Sequence, residues 1–293
     1  MKDYICKDNT FTGISKEFAS ENGLSLPKLY QNAEDLFKVS ALIQRQENNP
    51  FCVLPFDPSL TAEAKGADIK LDDSNLGPRK NKDTIFEVED LLKLPEMNIY
   101  EGRINETLKA VSLLKEKGYP AAIEITGPFS IINGFMDIQK FLMAFRKKED
   151  VIREILYKLN FDLVNLFIEA KKAGSDVIFY TDSSVGTSLI GPKFMRQVLE
   201  WSTLPLLDDL DKRLPEDTLI YLCPKLTFAL TDNNFIRWGK LPLEADIPYG
   251  EALINSVGKI RFSGNTCRKQ LGKIARGSLP YFELKDLVLD VEE

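Results

Sequence analysis

Short apolar runs alternate with long amphipathic stripes along this sequence, and that alternation limits the folds open to it. Residues 121–126, 176–182 and 219–223 are typical of strands, because each is a short run dominated by aliphatic and aromatic side chains. Between the first two runs, residues 150–172 carry apolar side chains at helical spacing, and Gly174 follows as a stop signal. Strands separated by helices pair in parallel through right-handed crossovers. The sequence therefore predicts an α/β protein.

Several of the expected strands end in a polar or otherwise special residue. In chain order these residues are Asp57, Thr126, Asp182, Cys223, Glu244 and Asn265. The carboxyl ends of the strands in a (β/α)8 barrel gather at one mouth, where substrate chemistry takes place. A doubly wound sheet fits less well, because no expected strand is followed by a glycine-rich phosphate-binding turn. We predict a TIM-like (β/α)8 barrel over residues 46–293, preceded by an N-terminal helical layer over residues 1–45.

Composition limits the classes of partner and the cellular location that the sequence predicts. The 293 residues carry a net charge of -6 and are 44% hydrophobic, which predicts a sizeable core and an acidic surface rather than a basic nucleic-acid footprint. No apolar run approaches the ~18 residues of a membrane-spanning helix, and the N-terminus lacks the apolar stretch of a signal peptide. The four cysteines, Cys6, Cys52, Cys223 and Cys267, form no CxxC pair. Reduced thiols in a cytoplasmic protein, without nucleic-acid or membrane partners, are expected.

Four ordered motifs carry a family resemblance. They are residues 55–67 (PFDPSLTAEAKGA), 125–130 (ITGPFS), 173–182 with 190–194 (AGSDVIFYTD and IGPKF), and 262–265 (FSGN). In this order and spacing, over roughly residues 49–280, the chain resembles the uroporphyrinogen decarboxylase superfamily. The first motif is similar to the cobalamin-dependent methyltransferase branch, and no Arg-rich signature of the decarboxylase branch precedes Asp57. The resemblance implies transfer of a methyl group from a methylated corrinoid protein to a small acceptor, such as the thiol of coenzyme M.

The resemblance also implies a zinc site, which this chain alters. In the methyltransferase branch a strand ends in His-x-Cys, and a distal cysteine adds a third ligand to the zinc that holds the acceptor as thiolate. Here Tyr221 stands at the histidine position beside the retained Cys223, and the chain contains no histidine. Cys267, just after another expected strand, is the candidate replacement ligand. Because a phenol is a poor substitute for imidazole, we predict a protein largely free of zinc.

The candidate site residues lie at or near the expected strand ends. The candidate catalytic residues are Asp182, Glu244 and Tyr221. The candidate substrate-binding residues are Asp57, Glu63 and Asn265, and the candidate metal ligands are Cys223 and Cys267. Structural alternatives remain for each kind of residue, because a carboxylate also caps helices or is solvated in a loop, and a cysteine or tyrosine also packs in a core.

Three functions remain open. The leading hypothesis is an enzyme, a corrinoid-dependent methyltransferase that moves a methyl group between a corrinoid protein and a small thiol or similar acceptor. The second is uroporphyrinogen decarboxylation, a lyase reaction that requires cationic side chains for several substrate carboxylates. The third is a non-catalytic barrel that binds or regulates a corrinoid protein, which the missing histidine favours.

Overall fold

The computed structural model describes residues 13–54 and 56–285. Cys6 and the N-terminal stretch on which the signal-peptide expectation depends lie outside these residues. Across the described ranges, no helix combines the length and apolar character needed to cross a bilayer.

The α-helices in chain order are α1 (Lys16–Glu21), α2 (Ala33–Gln46), α3 (Leu60–Ala64), α4 (Gly102–Glu116), α5 (Pro128–Phe135), α6 (Ile138–Ala144), α7 (Glu149–Lys172), α8 (Thr187–Ile190), α9 (Pro192–Val198), α10 (Leu204–Arg213), α11 (Pro224–Asp232) and α12 (Tyr249–Ile254). A π-helical turn, Leu199–Thr203, joins α9 to α10, and 3-10 turns occur at Lys28–Tyr30, Val88–Lys93 and Arg268–Gln270. The strands are β1 (Cys52–Leu54), β2 (Ile69–Lys70), β3 (Arg79–Lys80), β4 (Ala121–Thr126), β5 (Val177–Thr181), β6 (Leu219–Leu222), β7 (Ile236–Pro242), β8 (Ile247–Pro248), β9 (Phe262–Ser263), β10 (Ile274–Ala275) and β11 (Ser278–Leu284).

Local sequence explains where several helices begin and end. α7 starts with Glu149 and Asp150 and ends with two lysines, so the charges at both ends favour the helix dipole. Gly174 follows with φ of 107°, a backbone conformation that glycine adopts without strain. α5 and α11 each begin with a proline directly after a strand, Pro128 and Pro224, where the missing N–H is not needed.

The central sheet has seven strands in the order β1-β4-β5-β6-β9-β11-β7. The first five strands are parallel to one another, and β11 is antiparallel to both of its neighbours. Two short ribbons, β2 with β3 and β8 with β10, lie apart from this sheet. The predicted α/β class with a mostly parallel sheet is confirmed.

The position of β7 departs from the expected strand order. In a regular barrel each strand lies beside the one before it in sequence, which places β7 next to β6. Instead β9 pairs with β6, with Ile220 opposite Phe262. β7 pairs along its whole length with β11, from Ile236 opposite Leu284 to Pro242 opposite Ser278. Closure of the sheet into an eight-stranded barrel stays a prediction.

The two faces of the parallel strands pack against different parts of the chain. Side chains alternate between faces along a strand, so neighbouring residues belong to different cores. Ile178 and Ile220 lie on the face that packs against the helical layer, which we call the helix face. The opposite face packs against α12 and the C-terminal strands. We call it the site face, and its residues on β4, β5 and β6 are Ala122, Glu124, Thr126, Val177, Phe179, Thr181, Leu219 and Tyr221.

Helices precede β1, as the sequence predicts for an N-terminal layer. α1, the 3-10 turn at Lys28–Tyr30 and α2 share a small core that includes Leu29 and Val39. The hydroxyl of Tyr30 accepts a hydrogen bond from the Ile14 amide at 2.8 Å, which ties the start of the described chain to this core. The boundary between residues 45 and 46 stays a prediction.

Candidate functional site

Polar side chains from separate strands meet at the carboxyl edge of the sheet. One row on the site face runs across the strands through Glu124, Phe179, Tyr221 and Ser263. Six residues at and beyond this row form what we call the carboxyl-edge cluster: Glu124, Thr181, Tyr221, Cys223, Cys267 and Arg268. The carboxyl edge of parallel strands is the usual place for a functional site.

Glu124 is the acidic centre of this cluster. Its carboxylate Oε1 accepts a hydrogen bond from Thr181 Oγ1 at 3.1 Å, and its Oε2 lies 2.6 Å from Arg268 Nη2. The side chain of Glu124 is only 16% exposed, so a cation and a hydroxyl rather than bulk water surround its carboxylate. Glu124 is not among the site residues predicted from the sequence. The sequence signal that could have identified it is a single carboxylate within the otherwise apolar run of β4.

Cys223 lies immediately after β6, at the N-cap position of α11. Burial raises the pKa of its thiol to about 11, and the neighbouring Cys267 and Glu124 act in the same direction. A hydrogen bond from the Lys225 amide and the charge of Lys225 oppose this rise. Cys223 is therefore a protonated thiol at neutral pH, which is a much weaker nucleophile than a thiolate.

Tyr221 occupies the position at which the family resemblance expects a histidine. Its hydroxyl donates a hydrogen bond to the Thr266 carbonyl at 2.7 Å and accepts one from the Thr266 amide at 3.3 Å. Its ring meets the rings of Phe179 and Tyr249 edge to face, at 5.5 and 6.2 Å between centroids. Burial raises the pKa of Tyr221 well above its ordinary value. Tyr221 thus links β6 to the segment that precedes Cys267.

Asn265 belongs to the same segment after β9. Its side-chain oxygen accepts a hydrogen bond from the hydroxyl of Tyr249, at the start of α12. Through Tyr249, which packs on Tyr221, Asn265 is connected to the carboxyl-edge cluster. A substrate-binding role for Asn265 stays a prediction.

The donor groups of this cluster do not fit the zinc that the resemblance implies. Structural and catalytic zinc sites use three or four nitrogen, sulfur or oxygen ligands from the protein. Here both oxygens of Glu124 have other partners, and the Tyr221 hydroxyl is bonded to the backbone of Thr266. In the part of the chain that the structure describes, no three His, Cys, Asp or Glu side chains come together as a metal site. We therefore derive no step through zinc.

Asp182 lies on the helix face and is separated by the sheet from Glu124 and Cys223. Its carboxylate accepts hydrogen bonds from the amides of Phe129 and Ser130, each at 2.9 Å, and from the Ser130 hydroxyl at 2.8 Å. It thereby caps the first turn of α5. Burial raises the pKa of Asp182 to about 6, although these hydrogen bonds lower it. A catalytic role for Asp182 stays a prediction.

Asp57 and Glu63 both bind Arg103 at the start of α4. Asp57 Oδ2 lies 2.9 Å from Arg103 Nη1, and Glu63 Oε2 accepts from Arg103 Nε at 2.6 Å. Asp57 Oδ1 also accepts a hydrogen bond from the Ser59 amide at 2.9 Å. The side chains of Asp57 and Arg103 are 1% and 6% exposed, so this is a buried ionic brace. Substrate binding by Asp57 and Glu63 stays a prediction.

Glu244 is exposed in the bend between β7 and β8. Its neighbour Asp246 accepts a hydrogen bond from the Gly277 amide at 3.2 Å. The structure does not bring Glu244 into the row of Glu124 and Tyr221, because β7 lies at the far end of the sheet. A catalytic role for Glu244 also stays a prediction.

The geometry is that of an α/β protein with a polar site at the carboxyl edge of its parallel strands. Residues 13–237 match the sequence profile of uroporphyrinogen decarboxylase (URO-D). This match covers more than half of the chain, and the chain belongs to the uroporphyrinogen decarboxylase family. The resemblance inferred from the sequence motifs is confirmed.

Similar proteins include methyltransferases from Methanosarcina species. The chain is 26% identical over 225 residues to methylcobamide:CoM methyltransferase MtbA of Methanosarcina mazei, and 23% identical over 227 residues to methylcobamide:CoM methyltransferase MtaA of Methanosarcina barkeri. These matches cover 75% and 76% of this chain, and the chain spans 65% of the length of either relative. A solved methyltransferase from Methanosarcina mazei has a similar fold, with a TM-score of 0.64 at 18% identity, over 90% of this chain and 78% of that one.

Proposed function

We propose that this chain is a corrinoid-dependent methyltransferase-like enzyme that moves a methyl group between a corrinoid protein and a small thiol or similar acceptor. The observation that carries the proposal is the carboxyl-edge cluster, in which a carboxylate, a cation and Cys223 come together in a family whose similar members include methylcobamide:CoM methyltransferases. The corrinoid protein and the acceptor are the proposed partners. A barrel formed by the sheet is part of this proposal, since family membership and the similar solved methyltransferase support it.

A cavity beside the cluster is our candidate for the acceptor pocket. It has a volume of about 610 Å³ and lies between α1, α2, β1 and the segment after β9. Phe51, Val53 and Phe56 give it an apolar wall, and Arg268 lies at its border with the cluster. Its volume lies in the range of about 300–1,000 Å³ that is typical of small-molecule sites, and much of its remaining lining is polar, including Gln44, Glu47 and Asn49. Arg268 would orient an acceptor while it remains paired with Glu124.

We assign different roles to the two reactive groups of the cluster. Methyl transfer to a thiol requires a thiolate, because the thiolate is the nucleophile. The pKa of Cys223 is too high for it to be that thiolate at neutral pH, so its proposed role is contact with the bound acceptor. Glu124 is the carboxylate of the cluster, and we assign it the acceptance of the acceptor's proton.

The test is methyl transfer from free methylcobalamin to a panel of small thiols, followed by the absorption spectrum of the corrinoid. We expect turnover by the purified protein, and a loss of tenfold or more in Glu124→Gln and Cys223→Ser. Cys52→Ala is the matched control, because Cys52 is a buried thiol on the helix face. An inactive wild-type protein, or variants with unchanged rates, would sink the proposal.

A second candidate is a non-catalytic family member that binds a corrinoid protein. The bonding of Tyr221 to the Thr266 backbone favours it, because the position of the expected zinc ligand has been converted to a structural contact. Stable co-elution with the corrinoid protein, without turnover of methylcobalamin, would select this candidate over the enzyme.

The decarboxylase alternative gains no support from the arginines that the sequence offers. Arg103 is buried against Asp57, and Arg261 bonds to Asp211 and to backbone carbonyls. Arg237 pairs with Glu283 on the outer strands. These cations are held by separate acids rather than gathered for several substrate carboxylates. A direct assay for CO2 release is expected to be negative.

A further inference from the structure

An apolar groove lies on the surface between α6 and α9. Its walls are Leu142 and Met143 of α6, Leu189 and Ile190 of α8, and Phe194 of α9, and its volume is about 400 Å³. We call it the α6–α9 groove. Met143 and Leu189 are both 62% exposed. Clustered apolar exposure of this kind marks an interaction site more often than single exposed residues do.

The walls of the groove rest on a fixed aromatic layer. Phe145 is buried, stacks on Trp201 at 5.0 Å between ring centroids, and meets Phe194 edge to face at 5.9 Å. The guanidinium of Arg146 covers the Phe194 ring at 4.5 Å. A surface held in this way loses little conformational entropy when it binds.

The groove has a positive border on a chain whose net charge is -6. The basic residues that line it are Arg146 and Lys147, both exposed. Across residues 13–54 and 56–285 neither of these two forms an ion pair with an acid. Three of the nearby acids pair with other cations, Glu89 with Lys148, Glu149 with Arg153 and Glu200 with Arg196. An acidic surface of a partner would therefore meet unneutralised charge.

The groove opens at the same edge of the sheet as the carboxyl-edge cluster. α7 leads the chain back to the amino end of β5, and α9 with α10 leads it back to the amino end of β6. The first residues of α7 and α9 consequently lie near the carboxyl edge. Arg146 and Lys147 precede α7, and Phe194 lies in the first turn of α9.

We propose that the α6–α9 groove is the docking surface for the corrinoid-carrying protein, which would present an apolar side chain within an acidic border. This inference rests on the proposed function. The groove packs on the helix face, so the position would bring the methyl donor to the carboxyl edge that it shares with Cys223 and Glu124 of the site face. The charge pattern favours an acidic protein surface over a second copy of this chain, whose groove would carry the same positive border.

The experiment compares two methyl donors, free methylcobalamin and the methylated corrinoid protein purified from the source cells. For Arg146→Glu combined with Lys147→Glu, we expect KM for the corrinoid protein to rise tenfold or more, with unchanged kcat and unchanged rates with free methylcobalamin. The matched control is Lys172→Glu combined with Lys212→Glu, which reverses two exposed lysines at the last turns of α7 and α10. The control should leave KM within twofold of wild type.

A KM that changes less than twofold in the groove variant, or equally in the control, would overturn the docking proposal. The proposal would also be overturned if the main effect of the groove variant were a loss of self-association, or a loss of binding to anionic lipid vesicles. If neither donor gives turnover, the proposed enzymatic function is refuted. Binding of the corrinoid protein to the groove can still be measured by calorimetric titration. In that case a tenfold weaker Kd for the groove variant supports the surface, and equal or absent binding refutes it.

Discussion

A substitution of Arg103 tests whether the sequence motif around Asp57 has a structural role or a substrate-binding role. From the sequence, Asp57 and Glu63 are expected to bind substrate, whereas both bind Arg103 in the structure. The perturbation is Arg103→Met, which keeps an unbranched side chain of similar length and removes the charge. Asp57, whose side chain is 1% exposed, would then lack its cation and keep only the hydrogen bonds from Ser59.

Removing one partner of a buried ion pair costs about 3–5 kcal/mol, because the remaining charge is left buried. The related change Glu63→Gln should cost only about 0.5–1 kcal/mol, since Glu63 is 28% exposed and Arg103 retains Asp57. With about 2–4 °C per kcal/mol for a chain somewhat smaller than this one, Arg103→Met should lower Tm by about 10 °C. Urea unfolding followed by circular dichroism measures the free energies directly.

The double variant Asp57→Asn with Arg103→Met is the control, because it removes both charges. We expect it to recover at least half of the stability lost in Arg103→Met. A loss below about 1 kcal/mol in Arg103→Met would refute the argument from burial. If Asp57→Asn instead raised KM for the acceptor without changing stability, Asp57 would be a substrate-binding residue, as the sequence predicts.

Two further predictions concern pH and metal. In the folded state Asp182 keeps its proton up to a pKa of about 6, above the ordinary 3.8, so the free energy of unfolding should fall as pH rises through this window. The loss of unfolding free energy amounts to about 3 kcal/mol. Asp182→Asn should abolish this pH dependence, as measured by urea unfolding at a series of pH values. An equal dependence of the unfolding free energy on pH in the variant would contradict the prediction. Tyr221→His should leave zinc well below one per chain by metal analysis, because no ligand set awaits it among the described residues; stoichiometric zinc would show otherwise.

The long periodic elements were predictable because their signals are local. α7, with apolar residues on one face and acidic and basic ends, was predicted within one residue, and β4 was predicted at its exact bounds. α5 and α11 were missed because both are short, although the proline after each strand was an available signal. The place of β7 beside β11 depends on pairing between distant residues, which no local pattern encodes.

The site was only partly predictable for a related reason. Cys223 and Asn265 were selected from strand ends and Tyr221 from the family resemblance, and the structure connects Tyr221 to Asn265 through Tyr249. In contrast, Asp182 also follows a strand but points to the helix face. Because side chains alternate between the two faces along residues 177–182, Asp182 and Thr181 lie on opposite faces of the sheet. Both faces of this strand are buried and apolar, so the sequence does not show which face carries the site.

The exchange of histidine for tyrosine does more than remove a ligand. A strand-end imidazole bound to a metal would leave the segment after β9 to be positioned by that metal. In this chain the Tyr221 hydroxyl both donates to and accepts from the Thr266 backbone, so the tyrosine positions the segment that carries Cys267 and Arg268. Arg268 in turn holds Glu124. Tyr221 and Arg268 thus connect β6 and β4 to the segment after β9 through hydrogen bonds and an ion pair.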